Sequence, residues 1–290
     1  MSLPAANVHQ DALQAKADSS MQPTSVAACR AELQDGTGQL RRRFERGDSV
    51  VDLVRARSDL VDGVLRRLWA QHIRAESGAT LIPVGGYGRR ELQPASDIDI
   101  LILLSDGALA GTLQESVETL VTTFWDLGLE IGHSVRTVAE CVHEANANVT
   151  VMTNLIEARF LTGDPGLFER MCDAIGPNRI WSSEAFFAAK TEEQKARWHK
   201  YGDSAYNLEP NIKENPGGLR DIQMIGWVAK RHFHAETYHE LVGLGFLTDK
   251  EYKTLIEGQT LLWRIRSALH ILSGRREDRL LFDYQRTLAE

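Results

Sequence analysis

The sequence predicts an α/β domain built on a small sheet, followed by an all-helical domain. Three observations carry that prediction. A short run rich in Ile and Leu, Ile98 to Leu104, follows a glycine pair and a polar turn, which is the pattern of a buried strand. A second stretch, residues 129–135, alternates apolar with polar as a half-buried strand does. From Thr137 onward the apolar residues recur at helical spacing.

Taken in order, residues 1–38 are rich in Ala, Ser, Gln and Asp with little apolar periodicity. They read as disordered or weakly helical, a flexible segment of residues 1–40. From Asp48, Val54, Val61, Leu65 and Leu68 mark a long amphipathic helix, with Arg55, Arg57, Arg66 and Arg67 assigned to its solvated face. Leu81 and Val84 lead into Gly85 and Gly86; a polar turn with Pro94 and Ser96 precedes the Ile/Leu strand. Leu113, Val117, Leu120, Val121 and Phe124 form another helical stripe. In the alternating strand Glu130 shares a face with Gly132 and Ser134, while His133 is expected to pack or hydrogen-bond in the core. Residues 41–140 thus form the α/β domain with its leading helix, and 141–290 the helical domain.

That second part is expected to hold a helix over 152–161, stopped by Gly163-Asp164-Pro165, and another over 183–206. Lys190, Lys195 and Arg197 of the latter are assigned to a solvated face. Long helices follow over 221–234 and 249–273, the last with Leu255, Leu262, Ile265, Leu269 and Leu272 as its core stripe.

Composition narrows the function. Of 290 residues, 43% are hydrophobic and 25% charged, as in an ordinary globular protein. The net charge of −7 argues against broad nucleic-acid binding, which draws on a basic surface. No segment approaches a membrane span, and no signal peptide is visible. The three cysteines are far apart, without metal spacing, and read as free thiols of a cytoplasmic protein.

The chemistry concentrates at Asp97 and Asp99, two residues apart at the head of the strand and therefore on one face. At roughly 6.6 Å and an effective dielectric of about 20, two such charges repel by roughly 2.5 kcal/mol. Solvation relieves this in part; a cation between them relieves it better. Mg²⁺ prefers carboxylate and phosphate oxygens, and two such ions bridge acids, phosphates and an attacking oxygen in an in-line displacement. The glycines let backbone N–H groups approach phosphate where a Cβ would obstruct. Neither GxGxxG nor GxxxxGK[ST] is matched: Glu91 stands where the third glycine of the former belongs.

Gly-Gly, a spacer, then DxD on a strand resembles the nucleotidyltransferase superfamily that includes DNA polymerase beta. The fuller string GGYGRRELQPASDIDILIL, with GLEIGHSVRT (128–137), NLIEARFLTGD (154–164) and YNLEPNIKENPGGLRDIQ (206–223), is similar to the PII uridylyltransferase family of bacterial nitrogen control. The likeness runs from about residue 40 onward. It implies a polymerase-beta-like nucleotidyltransferase domain with a small mixed sheet, and a helical domain completing the nucleotide cleft. It implies transfer of UMP from UTP to a tyrosine of the PII signalling protein, with release of pyrophosphate. Asp97 and Asp99 would hold Mg²⁺, while Gly85, Gly86 and Ser96 would seat the nucleotide. Glu130 would be a third acid, as base or metal ligand; the alternative is a surface acid on a half-exposed strand. Two other classes stay open, an adenylyltransferase of another protein and a nucleotide-binding regulatory module.

The second informative stretch is 213–221, KENPGGLRD. Asp221 is expected to N-cap the helix that follows. Gly217 and Gly218 would let backbone meet an anion at the helix start, with Arg220 as a donor fork; a capped turn between helices is the other reading. The string resembles one shared with the glutamine synthetase adenylyltransferase, which points to closure of the nucleotide site. The family is bifunctional, with a metal-dependent hydrolase domain and glutamine-sensing ACT domains. No histidine here is followed directly by aspartate, so a fragment without those parts is expected.

Overall fold

The computed structural model describes residues 25–107 and 112–289. Helix α1 (Val26–Glu45) starts where Ser25 Oγ accepts the Ala28 N–H at 3.0 Å, and α2 (Val50–His72) starts at Ser49. The first of these corrects the reading of residues 1–38 as disordered or weakly helical, from Val26 on. Its buried face is Cys29 and Leu33, one turn apart, a stripe too narrow to register as periodicity. Both join Val61, Leu65 and Leu68 of α2 in one core. Arg55, Arg66 and Arg67 are exposed as expected, but Arg57 is buried.

Strands β1 (Ala79–Pro83) and β2 (Ile98–Leu104) pair antiparallel, with Ala79 opposite Leu104 and Pro83 opposite Ile100. A single helical turn, α3 (Gly85–Gly88), lies in their connection. Helix α4 (Thr112–Asp126) then carries the chain to β3 (Ile131–Thr137), parallel to β2 with Asp99 opposite Gly132. Parallel neighbours need such a crossover. After α5 (Val138–Ala147) and α6 (Val149–Ile156), β4 (Thr162–Gly163) pairs antiparallel with the free side of β1. The result is a small mixed sheet in the order β3-β2-β1-β4.

Strand β4 corrects the helix expected over 152–161. The Leu161 and Asp164 N–H groups donate to Leu81 and Ala79 carbonyls at 3.2 and 3.1 Å. The open edge of β1 offers unpaired backbone groups, and the chain satisfies them instead of continuing α6. His133 is also not in the core. It is exposed on β3, its ring edge-on to Trp125 at 5.6 Å.

Strand β2 is buried on both faces, which explains its unbroken apolar run. Ile98, Ile100, Ile102 and Leu104 meet the core of α1, α2 and α4. Leu101 and Leu103 meet Cys141, Met152, Leu155 and Phe186 on the other side. Asp97 and Asp99 share the parity of Leu101, so they look toward the helices that follow β3.

Those helices are α7 (Pro165–Ala174), α8 (Ser183–Lys200), α9 (Leu219–Phe233), α10 (Glu240–Gly243), α11 (Asp249–Ser273) and α12 (Phe282–Ala289). Helix α8 stops at Lys200 rather than Tyr206, where the Tyr201 N–H closes on Arg197 O. Helix α11 has the expected extent but a different inner face. Gln259, Trp263, Arg266, Ser267, Leu269 and His270 are buried, while Leu272 is exposed. The reason is what it packs on, the polar turn before β2. Ser267 Oγ donates to Gln93 Oε1 at 2.5 Å, and the Ala95 N–H donates to His270 Nδ1 at 3.1 Å. Among the described residues no helix is long and apolar enough to cross a membrane.

Candidate functional site

Where β1 ends, Gly85 takes φ +57, a conformation glycine adopts at little cost. The Val84 N–H donates to Asp99 O at 3.0 Å and ties this turn to the head of β2. Two glycines flank the Asp99 carboxylate. A Cβ on Gly85 would lie 3.4 Å from its Oδ2, and one on Gly132 would lie 2.5 Å from its Oδ1. Side chains are thereby kept off both sides of the group. Among the described residues no N–H or O–H donates to this carboxylate. Burial, then the charge of Asp97, push the Asp99 carboxyl up from its ordinary value; Lys213 and Arg276 oppose the shift.

Asp97, half-buried, accepts from Arg276 Nη1 at 3.1 Å. Arg276 sits in the loop after α11 and was not anticipated as a neighbour of the pair. Ser96, half-buried in the turn, donates its N–H to Gln93 O at 3.1 Å. The pair suits Mg²⁺, which keeps several waters and takes further ligands from phosphate oxygens. Asp99 in particular is a carboxylate pushed toward protonation and short of donors, which a cation would restore to its charged form.

Glu130 immediately precedes β3, and its carbonyl accepts the Ile98 N–H at 2.8 Å. Extending the parallel register by one step sets it beside Asp97, yet its side chain is exposed. Among the described residues no three His, Cys, Asp or Glu side chains gather as a metal site.

The Gly217-Gly218 turn is a correction. Asp221 does not cap α9; Gly218 holds the N-cap position. Asp221 lies in the first turn and reaches back to the Gly217 N–H at 2.8 Å, while also accepting from Trp198 Nε1 at 3.1 Å and from Arg197. The N–H groups of Gly218, Leu219 and Arg220 donate to Asn215, Ile212 and Lys213 carbonyls. The amides at this helix start are thus bonded within the protein. A Cβ on Gly218 would meet those three carbonyl oxygens, each at 2.9 Å. These glycines close a turn, and what the motif presents outward is side chains.

Those side chains line a cleft of about 510 Å³ between α6, α8 and α9 that includes Asn154, Lys190, Arg197, Lys200, Glu214 and Arg220. Asn154 Oδ1 is 3.9 Å from the Cβ position of Gly85, so the cleft runs up to the Asp99 corner. Arg220 donates to Gln223 Oε1 at 3.0 Å and lies over the Trp227 ring at 5.5 Å. Lys190 is buried, 4.2 Å above the same ring, and bonds Glu193 Oε1 at 2.8 Å; burial lowers its pKa. Lys213 is lowered as well, by burial and then by the nearby Arg266 and Arg220 charges. Lys190 and Arg197, expected in solvent, are instead walls of the cleft, whereas Lys195 is exposed and paired with Glu192. One signal was available: Lys190 stands four residues after the buried Phe186, on the same helix face.

The cleft wall thus carries four cations, Lys190, Arg197, Lys200 and Arg220, with the acids Glu193 and Glu214 among them, and it abuts the corner that holds Asp99. Residues 185–290 match the GlnD PII-uridylyltransferase family. A bifunctional uridylyltransferase/uridylyl-removing enzyme of Methylococcus capsulatus is 51% identical over 265 residues, covering 91% of this chain and 30% of that protein. Proteins of the same description from Pseudomonas putida and Azotobacter vinelandii are each 46% identical over 277 residues, covering 95% of this chain and 31% of theirs. The chain spans about 30% of the length of the relatives it matches. With identity at that level over nearly all of its own length, the chain belongs to the family of the bifunctional uridylyltransferase/uridylyl-removing enzymes.

Proposed function

We propose that this chain carries the nucleotidyl-transfer chemistry of its family, in a polymerase-beta-like domain of residues 41–140 closed by the helices of 141–290. The reaction is transfer of UMP from UTP to a tyrosine hydroxyl of a PII protein, in the cytoplasm. The observation that carries the reading is the Asp97–Asp99 pair at the head of β2, beside a cleft walled by Lys190, Arg197, Lys200 and Arg220 whose Asn154 comes within 3.9 Å of the Gly85 Cβ position.

Arg220 and Arg197 present guanidinium forks to phosphate oxygens, and Lys190 and Lys200 add point charges. The Gly85 and Gly86 turn keeps the approach to Asp99 open, with Ser96 at its rim. The tyrosine oxygen forms a bond to the α-phosphorus as the bond to the β-phosphate bridging oxygen breaks, and pyrophosphate leaves. Glu130 takes the phenolic proton from the exposed end of β3. Mg²⁺ held by Asp97 and Asp99 would supply charge neutralisation at the α-phosphate. Positioning and electrostatics do the rest, as in other phosphoryl-type transfers.

Incubation with purified PII, Mg²⁺ and each of the four α-labelled nucleoside triphosphates tests this. A labelled PII band with UTP alone is expected. Labelling from ATP would move the chain to the adenylyltransferases, and no labelling or pyrophosphate release with any triphosphate would sink the transferase reading.

A further inference from the structure

Helices α1, α2 and α11 and the turn before β2 enclose a separate cavity of about 210 Å³. Its walls are mostly carbon, from Leu40, Phe44, Leu53, Val54, Leu92 and Pro94. Among the described residues no acidic one lines it. Arg57 does, only 9% exposed. Its Nη1 donates to Thr37 Oγ1 at 3.1 Å, and its Nε is buried without a partner.

Two other described arginines are buried as deeply. Arg266 pairs with Asp278, and Arg231, which also lacks a carboxylate, spreads its guanidinium over the Ile175, Ile180 and Trp181 carbonyls. Arg57 has only the Thr37 hydroxyl among the described residues, and burial alone lowers its pKa to about 10. A buried charge without a counter-ion is strongly unfavourable unless something else supplies one. The Ser267 hydroxyl on the cavity wall is already spent on Gln93 Oε1, at 2.5 Å. His270 contributes no counter-charge: burial lowers its pKa, and its Nδ1 accepts the Ala95 N–H at 3.1 Å. The orphaned group on the cavity wall is a guanidinium donor, so an occupant has to bring an acceptor and negative charge together with an apolar body.

We propose that this cavity is a binding site for a small aliphatic carboxylate, its two oxygens on the Arg57 guanidinium and its chain among the α1, α2 and α11 side chains. A planar carboxylate matches the guanidinium fork. At roughly 30 Å³ per water-sized group, 210 Å³ holds about seven such groups, the size of pentanoate. Pro94 and Ala95, which lead into Asp97, form one wall. The site is assigned without reference to the transferase chemistry, and direct binding tests it whether or not that chemistry holds.

The experiment is calorimetric titration of the full chain with propionate, butyrate and pentanoate, beside 1-pentanol and pentylammonium. Affinity is expected to rise about fourfold for each methylene, from the transfer free energy of one buried CH₂. The alcohol and the amine are expected not to compete. Arg57→Met should abolish binding, and Ile271→Trp, which fills the cavity from α11, should do so with the guanidinium intact. If Arg57→Met does not fold, Arg57→Lys keeps the charge without the fork and should bind at least tenfold more weakly. Absence of saturable binding by pentanoate would overturn the proposal, as would equal binding of 1-pentanol or an unchanged affinity in Ile271→Trp. The last result would move the ligand to the shallower depression that Arg57 shares with Arg30 and Leu127.

Discussion

Gly85-Gly86 and Gly217-Gly218 both stand at the start of a helix, yet only the first pair leaves its N–H groups without partners among the described residues. Before α9 a turn folds back so that Asn215, Ile212 and Lys213 carbonyls and the Asp221 carboxylate take every amide. At α3 the chain has just left a strand; α6 brings Asn154 Oδ1 to 3.9 Å from the Gly85 Cβ position, yet among the described residues no acceptor takes these two N–H groups. The same dipeptide in front of a helix is therefore an open corner in one place and a closed turn in the other. What decides is whether the preceding segment supplies acceptors, because a buried amide takes whatever acceptor is within reach.

Substitutions at both glycine pairs and their neighbours, and a pH series, sharpen or break that contrast. The largest effect is expected at the open corner. Asp97→Asn or Asp99→Asn should lower UMP transfer on the order of a thousandfold while leaving the far-ultraviolet spectrum and melting temperature near the parent's. Parental turnover at saturating Mg²⁺ in either variant would remove the pair from the chemistry. Glu130→Gln, at the neighbouring strand end, should lower kcat about a hundredfold with little change in UTP affinity, the signature of a general base. An unchanged kcat returns it to the solvated surface its exposure suggests.

The closed turn should respond differently. Arg220→Ala is expected to weaken UTP binding by about tenfold or more by calorimetry, since charge-assisted bonds to phosphate contribute about 1.5–3 kcal/mol each. Gly218→Ala forces a methyl against three carbonyl oxygens and should cost roughly 1–3 kcal/mol of stability with UTP affinity of the folded protein unchanged. Gly85→Ala should cost about 1–2 kcal/mol for its left-handed backbone and, unlike Gly218→Ala, slow transfer as well. Equal kinetic penalties for the two alanines would erase the distinction between open and closed pairs.

The smallest effect is a pH dependence. Burial and Asp97 raise the Asp99 pKa, so the folded state holds that proton more tightly than the unfolded chain. The stability it contributes is present in acid and lost as pH rises through the raised folded value. Without Mg²⁺, the melting advantage of Asp99→Asn over the parent should grow from the acid range to neutrality, by a few degrees at most. A difference independent of pH would show that Asp99 is not electrostatically strained.

Much of the fold was legible. The β2 run, the β3 alternation and helices α2, α4 and α9 follow from the sequence pattern, while α11 was legible in its extent but not in the polar face it buries. Residues Asp97 and Asp99 were legible for the same reason, two acids on one side of a strand otherwise made of Ile and Leu. Helix α1 was not, since it buries only Cys29 and Leu33, and β4 was not, since two residues carry no period. The side chains of the cleft were harder still. Lys190 and Arg197 read as ordinary helix-surface cations, and only the placement of α8 against α9 and Trp227 turns them inward.

By itself, then, the sequence determined strands β2 and β3, the longer helices after α1, the acid pair and, through its motifs, the family. The tertiary structure alone decided which glycine pair stays open, which cations face the cleft, and that Arg57 is buried without an acid. The reason is physical. Periodicity reports whether a residue is covered, a property of its own element, whereas hydrogen-bond and ion partners come from other elements brought close only by the fold.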